Sequence, residues 1–228
     1  MLRAVAFDID GTLYSTFKLY VRLIPYALTH LRFFAAYSRV RAILHRSAPL
    51  ADFFGYQSRL LADVLGISAE EARVKIDTIV YDGLKPYLEK TKPFKHVLET
   101  VQVFRDAGLK IAILSDFPPE QKGSIWGIRP LCDVIVGSEE LGALKPSKYA
   151  FGLLAKRLEL NSSEILYVGN SVFSDINGAK AAGMKSAYIM TNPLRRLFRI
   201  KQKNADISFG SYRQLQKIVL ELLETQQD

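Results

Sequence analysis

The sequence has a single cysteine and no long apolar run. Cys132 has no partner for a disulfide within the 228 residues, and no group of Cys and His residues has the spacing of a zinc site. No stretch approaches the roughly 20 charge-free apolar residues that a membrane-spanning helix needs. A chain of this length with 49% apolar residues can bury a sizeable core without covalent cross-links. We therefore expect a cytoplasmic protein of a reducing compartment, with no transmembrane segment.

Acidic residues are missing from two stretches of the chain. Residues 15–51 contain six basic residues and no acid, and residues 191–205 contain five basic residues and no acid. Removing these 11 from the 31 Lys and Arg leaves 20, against 23 Asp and Glu, so the net charge of +8 belongs to these two segments. Such a distribution argues against a protein that binds nucleic acid over its whole surface, and for one face that meets an anion.

Strand-like and helical segments alternate through most of the sequence. This alternation predicts a doubly wound, Rossmann-like α/β fold in which helices cover a parallel sheet. The predicted strands are residues 2–7, 109–114, 133–136, 165–168, 186–190 and 206–209. The predicted helices of this core are residues 93–107, 147–158, 175–182 and 212–225.

Residues 16–92 differ from the rest because their apolar positions recur at helical spacing. Ser68 and Glu71 are typical of a capping box before a helix that continues to Tyr81. The block is too long for a simple crossover between two strands. We therefore expect an α/β core formed by residues 1–15 and 93–228, and an inserted helical domain formed by residues 16–92.

Two aspartates follow the first strand directly, in Asp8-Ile9-Asp10-Gly11-Thr12-Leu13. Side chains two apart on a strand point the same way, so both carboxylates can share one pocket. Such a pair persists if a cation lies between the carboxylates or if one keeps its proton. An ordinary turn is the alternative. A calcium loop is excluded because Thr12 and Leu13 stand where it needs a ligand and a glycine.

Three further groups of polar residues follow predicted strands, where open α/β sheets bind their ligands. They are Ser115-Asp116, Lys145-Pro146, and Gly169-Asn170-Ser171 with Asp175. Singly, each has a structural explanation, such as a helix cap for Ser115 or a solvated surface position for Lys145. Jointly they indicate a site for phosphoryl transfer.

At these positions the sequence resembles the haloacid dehalogenase-like (HAD) hydrolase superfamily, and within it the phosphatases. Residues 8–13 are similar to its first motif, residues 114–116 to the second, Lys145-Pro146 to the third and residues 168–179 to the fourth. All four motifs occur in order. In HAD phosphatases an insert between the first and second motifs is a cap over the active site, which is the position of residues 16–92.

The resemblance implies a role for each matching residue. Asp8 would be the nucleophile that forms an aspartyl phosphate, and Asp10 the general acid and base. Ser115 and Asp116 would contribute to the phosphate site, and Lys145 would hold both Asp8 and the transferring phosphate. Dehalogenases and phosphonate-cleaving members typically lack an acid at the position of Asp10, which favours a phosphate ester as substrate.

The resemblance also implies a magnesium site. Mg²⁺ would lie between Asp8, the backbone carbonyl of Asp10 and Asp175, with Asn170 as a further oxygen donor. Asn170 is a departure, because the fourth motif usually has Asp there. The amide removes one negative charge and predicts weaker metal binding.

The expected function is therefore Mg²⁺-dependent hydrolysis of a small phosphorylated metabolite. Two alternatives stay open: a non-catalytic HAD-fold protein that binds an anionic partner or membrane surface, and a phosphomutase. For the basic and aromatic residues of 15–51 three interpretations compete. They form the core and solvated surface of the cap; or Lys18, Arg22, Arg39 and Arg41 bind an anionic leaving group; or an interfacial helix rests on lipid. The last ranks lowest because Pro25 should interrupt that helix. The oligomeric state is open.

Overall fold

The structure is a computed structural model that describes residues 1–192, 194, 197, 198 and 200–226. Three of the five basic residues in the segment 191–205, namely Arg195, Arg196 and Arg199, lie outside the described residues.

A six-stranded parallel sheet forms the centre of the molecule, with strand order β3-β2-β1-β4-β5-β6. The strands are β1 (Ala4–Phe7), β2 (Lys110–Ser115), β3 (Val134–Gly137), β4 (Ile165–Gly169), β5 (Lys185–Ile189) and β6 (Ile207–Phe209). All four residues of β1 are buried, as expected for a strand that is covered on both faces. The predicted doubly wound, Rossmann-like sheet is confirmed, and each strand lies within one or two residues of its predicted bounds.

Helices cover both faces of this sheet. One face packs against α6 (Val97–Asp106) and α9 (Tyr212–Glu224), through side chains such as Phe104 and Val219. The other packs against α7 (Lys148–Leu158) and α8 (Asn177–Ala181), where Phe151 meets Tyr167. The sheet is therefore buried between two layers of helices.

Two of the predicted helices need correction. The helix expected at residues 93–107 begins at Val97, because Pro93 forms an antiparallel bridge with Tyr14 and His96 has a positive φ of 66°. The helix expected at residues 175–182 is divided into a π-helical turn, Val172–Ile176, and the short α8. The π-helical turn contains Asp175, one of the predicted site residues.

A separate group of helices connects β1 to β2. It comprises α1 (Thr16–Thr29), α2 (Leu31–Leu44), α3 (Phe53–Leu65), α4 (Ala69–Lys75) with its π-helical continuation Ile76–Asp82, and α5 (Lys85–Leu88). These helices bury a cluster of their own around Val40, Leu61 and Ile76. The predicted capping box of Ser68 and Glu71 is present at the start of α4.

Pro25 does not interrupt α1, contrary to expectation. The helix continues through it to Thr29. A proline removes one backbone hydrogen bond and bends a helix, but packing against neighbouring elements can hold the helix together on both sides. No helix among the described residues is long and apolar enough to cross a membrane.

Candidate active site

The ammonium group of Lys145 joins two buried carboxylates at the carboxyl ends of the central strands. Its Nζ lies 2.7 Å from Asp8 Oδ1 and 2.7 Å from Asp175 Oδ1. Asp8 follows β1, and its backbone N–H donates to Val168 of β4, while Asp175 lies in the π-helical turn after β4. All three side chains are buried. The structure therefore brings together three of the predicted site residues, although Asp8 and Lys145 are 137 positions apart.

Burial in this cluster changes the proton affinity of Asp8. Loss of solvation is the largest cause of a rise in the pKa of Asp8 to about 7; Asp175 and Asp10 add to this rise, and Lys145 opposes it. The same two carboxylates, Asp8 and Asp175, outweigh burial at Lys145 and raise the pKa of its ammonium group well above the usual value. The charged form of Lys145 is consequently favoured in the folded protein.

The second oxygen of Asp8 is held by the loop that follows β1. Thr12 Oγ1 donates to Asp8 Oδ2 at 2.8 Å, and it lies 3.4 Å from Asn170 Oδ1. Gly11 has a φ of 85°, and a Cβ on it would lie 2.2 Å from Asn170 Nδ2. Only glycine permits this close approach of the loop to Asn170.

Backbone groups fix Asp175. Its Oδ2 accepts the N–H groups of Asn170 at 3.0 Å and Ser171 at 2.9 Å. A Cβ on Gly169 would lie 2.3 Å from the Asp175 Cβ, so glycine is required where the end of β4 passes this side chain. With Oδ2 held by the backbone, Oδ1 points to Lys145 and the site.

Asp10 has two partners that the sequence did not predict. The Tyr14 hydroxyl donates to Asp10 Oδ1 at 2.5 Å, and Lys122 Nζ lies 3.0 Å from Asp10 Oδ2. Thr12 and Tyr14 each follow the carboxylate they contact by four residues, a spacing that could have suggested them. Lys122 is 112 residues from Asp10 and has no local pattern to mark it, although its side chain is only 2% exposed.

Asp116 holds the segment that carries Lys145. Its Oδ1 accepts hydrogen bonds from Ser138 Oγ at 2.6 Å and from the backbone N–H of Lys145 at 3.0 Å. Burial acts to raise the pKa of Asp116, but the positive charges of Lys145 and Arg41 outweigh it and lower the pKa. These contacts favour the negatively charged form of Asp116 beside the site, and its phosphate-binding role stays a prediction.

The Ser115 hydroxyl is buried at the end of β2 without a hydrogen-bond partner. Among the described residues, the hydroxyls of Ser115 and Tyr37 are the only buried side-chain polar atoms that lack a hydrogen-bond partner. A buried hydroxyl that lacks a partner is unfavourable unless a ligand satisfies it. Ser115 is thus available to donate to an oxygen of a bound molecule.

Several contacts hold the helices of residues 16–92 over this end of the sheet. Arg41 of α2 forms a buried ion pair with Glu139, which also accepts from the Tyr81 hydroxyl at 2.8 Å. His45 Nδ1 lies 2.6 Å from the backbone oxygen of Lys145. Arg41 is therefore committed to Glu139, which counts against the interpretation that it binds an anionic leaving group.

The donors around Asp8 fit a hard divalent cation. They are carboxylate and amide oxygens, from Asp8, Asp175 and Asn170, and these are the ligands that Mg²⁺ prefers. No group of three or more His, Cys, Asp or Glu is arranged as a metal cluster in the part of the chain that the structure describes. The expected ligands are two carboxylates, a backbone carbonyl and the Asn170 amide oxygen, so the site does not need such a group.

Comparison with known proteins agrees with the four motifs. The family model for haloacid dehalogenase-like hydrolases matches residues 2–183. The chain belongs to the haloacid dehalogenase-like hydrolases. That match extends from β1 to the end of α8, so it includes every residue of the candidate site described above.

Two relatives of this hydrolase are named phosphatases. The chain is 26% identical over 232 aligned residues to the glyceraldehyde 3-phosphate phosphatase of Methanocaldococcus jannaschii. This alignment covers 97% of the chain and 99% of the relative. The chain is 30% identical over 199 residues to the glyceraldehyde 3-phosphate phosphatase of Methanopyrus kandleri, with 83% and 84% covered. These relatives support a phosphatase within the HAD-like hydrolases.

The crystal structure of a HAD phosphatase from Thermococcus onnurineus has the same fold. It superposes with a TM-score of 0.64 at 23% identity, over 96% of this HAD-like hydrolase and 98% of that chain.

Proposed function

We propose that this protein is a magnesium-dependent phosphatase that hydrolyses a small phosphate monoester through a phosphorylated Asp8. The observation that carries the proposal is the buried Lys145 ammonium, 2.7 Å from both Asp8 and Asp175 at the carboxyl ends of β1 and β4. This arrangement keeps a nucleophilic carboxylate and a fixed positive charge in one desolvated pocket. The relatives named phosphatases support the same reaction class.

The first half of the reaction transfers the phosphoryl group to the enzyme. An Asp8 oxygen attacks phosphorus, the bond from phosphorus to the alcohol oxygen breaks, and Asp10, which enters this step in its protonated form, gives that oxygen its proton and becomes a carboxylate. Ser115 Oγ, which has no partner of its own, donates to a phosphoryl oxygen, and Lys145 balances the negative charge there.

The second half returns Asp8 to its starting state. Asp10 takes a proton from a water molecule as that water attacks phosphorus, and the bond from phosphorus to Asp8 breaks. Tyr14 and Lys122 hold the Asp10 carboxylate in a fixed orientation for both proton transfers. Mg²⁺ would be held by Asp8, Asp175, Asn170 and the Asp10 carbonyl, and when bound it would neutralise phosphate charge and help to align the phosphoryl group.

Residues 16–92 act as the cap in this proposal. Their contacts through Arg41, His45 and Tyr81 lie at the same end of the sheet as Asp8 and Lys145, beyond the carboxyl ends of the strands. A cover there excludes water and selects the leaving group. The cytoplasmic location inferred from the cysteine content stays a prediction.

Hydrolysis of p-nitrophenyl phosphate tests this function. We expect turnover that stops when a chelator removes the metal and resumes when Mg²⁺ is added. Asp8→Asn should lower kcat about 1,000-fold or more, because an amide cannot form the phosphorylated intermediate. Asp106→Asn, which changes an exposed carboxylate at the end of α6, is the matched control and should leave kcat unchanged. Equal activity in Asp8→Asn and the unmodified protein would refute the proposal.

A further inference from the structure

A cavity of about 480 Å³ lies between α1, α2 and the segment that follows β2, and Asp10 and Lys122 form part of its wall. Its size falls within the range of roughly 300–1,000 Å³ typical of small-molecule sites. Most of the remaining wall is apolar and includes Leu19, Leu23, Ile24, Phe34, Leu84 and Phe117.

Six of the nine polar residues in the wall are engaged with the protein itself, and the other three, Thr16, Tyr20 and Tyr37, present hydroxyl groups. Asp10 is bonded to Tyr14 and Lys122, and the Gln121 amide donates to the backbone oxygens of Val80 and Tyr81, at 3.0 and 2.8 Å. The hydroxyls of two further lining residues donate to backbone carbonyls: Tyr26 to Ile79, and Ser38 to Ala35. Only the Tyr37 hydroxyl is buried there without a partner.

A polyhydroxylated leaving group fits this wall poorly. Each sugar hydroxyl moved from water into the cavity would lose its hydrogen bonds and find few replacements. Basic residues do not compensate, because Arg41 is paired with Glu139 and Lys122 with Asp10. An apolar group instead gains from leaving water and meets the aliphatic and aromatic side chains of α1 and α2.

We propose that the preferred substrate is a phosphate monoester of an apolar alcohol, whose hydrocarbon chain occupies this cavity. The inference rests on the proposed function, in which Asp10 gives its proton to the leaving oxygen. Because Asp10 lies in the cavity wall, the group attached to that oxygen extends into the cavity. Tyr20 and Ile24 line it and are 64% and 53% exposed, so the cavity opens along α1 and admits chains of different lengths.

A series of substrates with one varied leaving group tests this preference. We would measure kcat/KM for n-butyl, n-hexyl and n-octyl phosphate below their micellar concentrations, and for glycerol 3-phosphate and ribose 5-phosphate. The expected result is a several-fold rise in kcat/KM with each step in chain length, because each added methylene buries apolar surface. The two polyol phosphates should be the poorest substrates of the set.

Two variants of α1 make the test specific to the cavity. Ile24→Asn places an amide in the cavity wall and should lower kcat/KM for n-octyl phosphate about tenfold, with a smaller effect on n-butyl phosphate. Val21→Asn is the matched control, since Val21 is 51% exposed on the same helix and lies outside the cavity lining. It should leave the whole series unchanged.

Binding of n-octylphosphonate, which cannot be hydrolysed, supplies a readout that does not depend on turnover. Calorimetry should show binding with a negative heat-capacity change, and Ile24→Asn should weaken it about tenfold. Polyol phosphates that are hydrolysed better than n-octyl phosphate, or equal effects of the two variants, would overturn the inference and leave the phosphatase proposal intact. Failure to hydrolyse any of the esters would instead refute the proposed function.

Discussion

At the scale of single residues, the candidate site depends on glycines as much as on charged groups. Gly11 lets the loop after β1 pass so close to Asn170 that a Cβ would lie 2.2 Å from Nδ2. Gly108 has nearly the same φ, 83° against 85°, but nothing lies within 4 Å of the place where its Cβ would be. The two glycines therefore separate the effect of backbone conformation from that of crowding.

We predict that Gly11→Ala lowers both stability and activity, whereas Gly108→Ala lowers stability alone. Each change forces an L side chain into left-handed backbone, at about 1–2 kcal/mol of unfolding free energy. Gly11→Ala also displaces Asn170 and with it the Thr12 hydroxyl that holds Asp8, so kcat should fall at least about tenfold. Urea unfolding and phosphatase assays on both variants check this. Unchanged kcat in Gly11→Ala would show that the contact with Asn170 is unimportant.

At the scale of elements, the junction of α6, β2 and β3 depends on one carboxylate. Asp133, directly before β3, accepts the Ile111 N–H at 2.8 Å and pairs with Arg105 of α6 at 2.5 Å. Burial acts to raise the pKa of Asp133, but these two partners outweigh it and lower the pKa below its usual 3.8. The charged form is therefore favoured in the folded protein.

This shift gives a pH-dependent contribution to stability with a defined sign. Because the pKa of Asp133 is lower in the folded state, its contribution is present above the unfolded value of about 4 and is lost as pH falls through the folded value. Asp133→Asn keeps an acceptor for Ile111 and removes the charge, so we expect a loss of about 1 kcal/mol at pH 7. The difference from the unmodified protein should shrink from about pH 5 toward pH 2 in denaturant titrations. A difference that stays constant across this range would contradict the assignment.

Some elements could be predicted from the sequence, and others could not, for local reasons. The capping box of Ser68 and Glu71 is a short-range device, so its pattern correctly predicts where α4 begins. The sequence pattern places the start of α6 four residues early, because Pro93 forms a β-bridge with Tyr14, which lies 79 positions away and which no local pattern connects to it. α1 continues past Pro25 because neighbouring helices pack against it.

At the scale of the whole molecule, a buried ion pair ties the helices of residues 16–92 to the sheet. Arg41 lies on α2, Glu139 follows β3, and both side chains are at most 10% exposed. The division into a core and a cap stays a prediction, but this ion pair is a buried, charged contact between the two groups of elements. Removing either partner leaves an unpaired charge in a desolvated place.

We predict strong coupling between Arg41 and Glu139 in a double-mutant cycle. Arg41→Met and Glu139→Gln should each lower the unfolding free energy by about 3–5 kcal/mol, and the double variant should lose clearly less than their sum. Arg73 and Asp77, a pair on the helical segment that is 38% and 39% exposed, is the control and should couple by less than about 1 kcal/mol. Strictly additive losses at Arg41 and Glu139 would show that the ion pair does not join the two parts.

The sequence by itself determined the strands, their alternation with helices, and the four motifs that contain Asp8, Ser115, Lys145 and Asp175. These features depend on short-range patterns of apolar and turn residues, which are visible along the chain. Only the tertiary structure decided that Lys122 pairs with Asp10 across 112 residues, and that Arg41 forms its ion pair with Glu139. It also decided that the cavity beside Asp10 is apolar. Side chains from separate elements form that wall, and chain packing brings them together without leaving a pattern in the sequence.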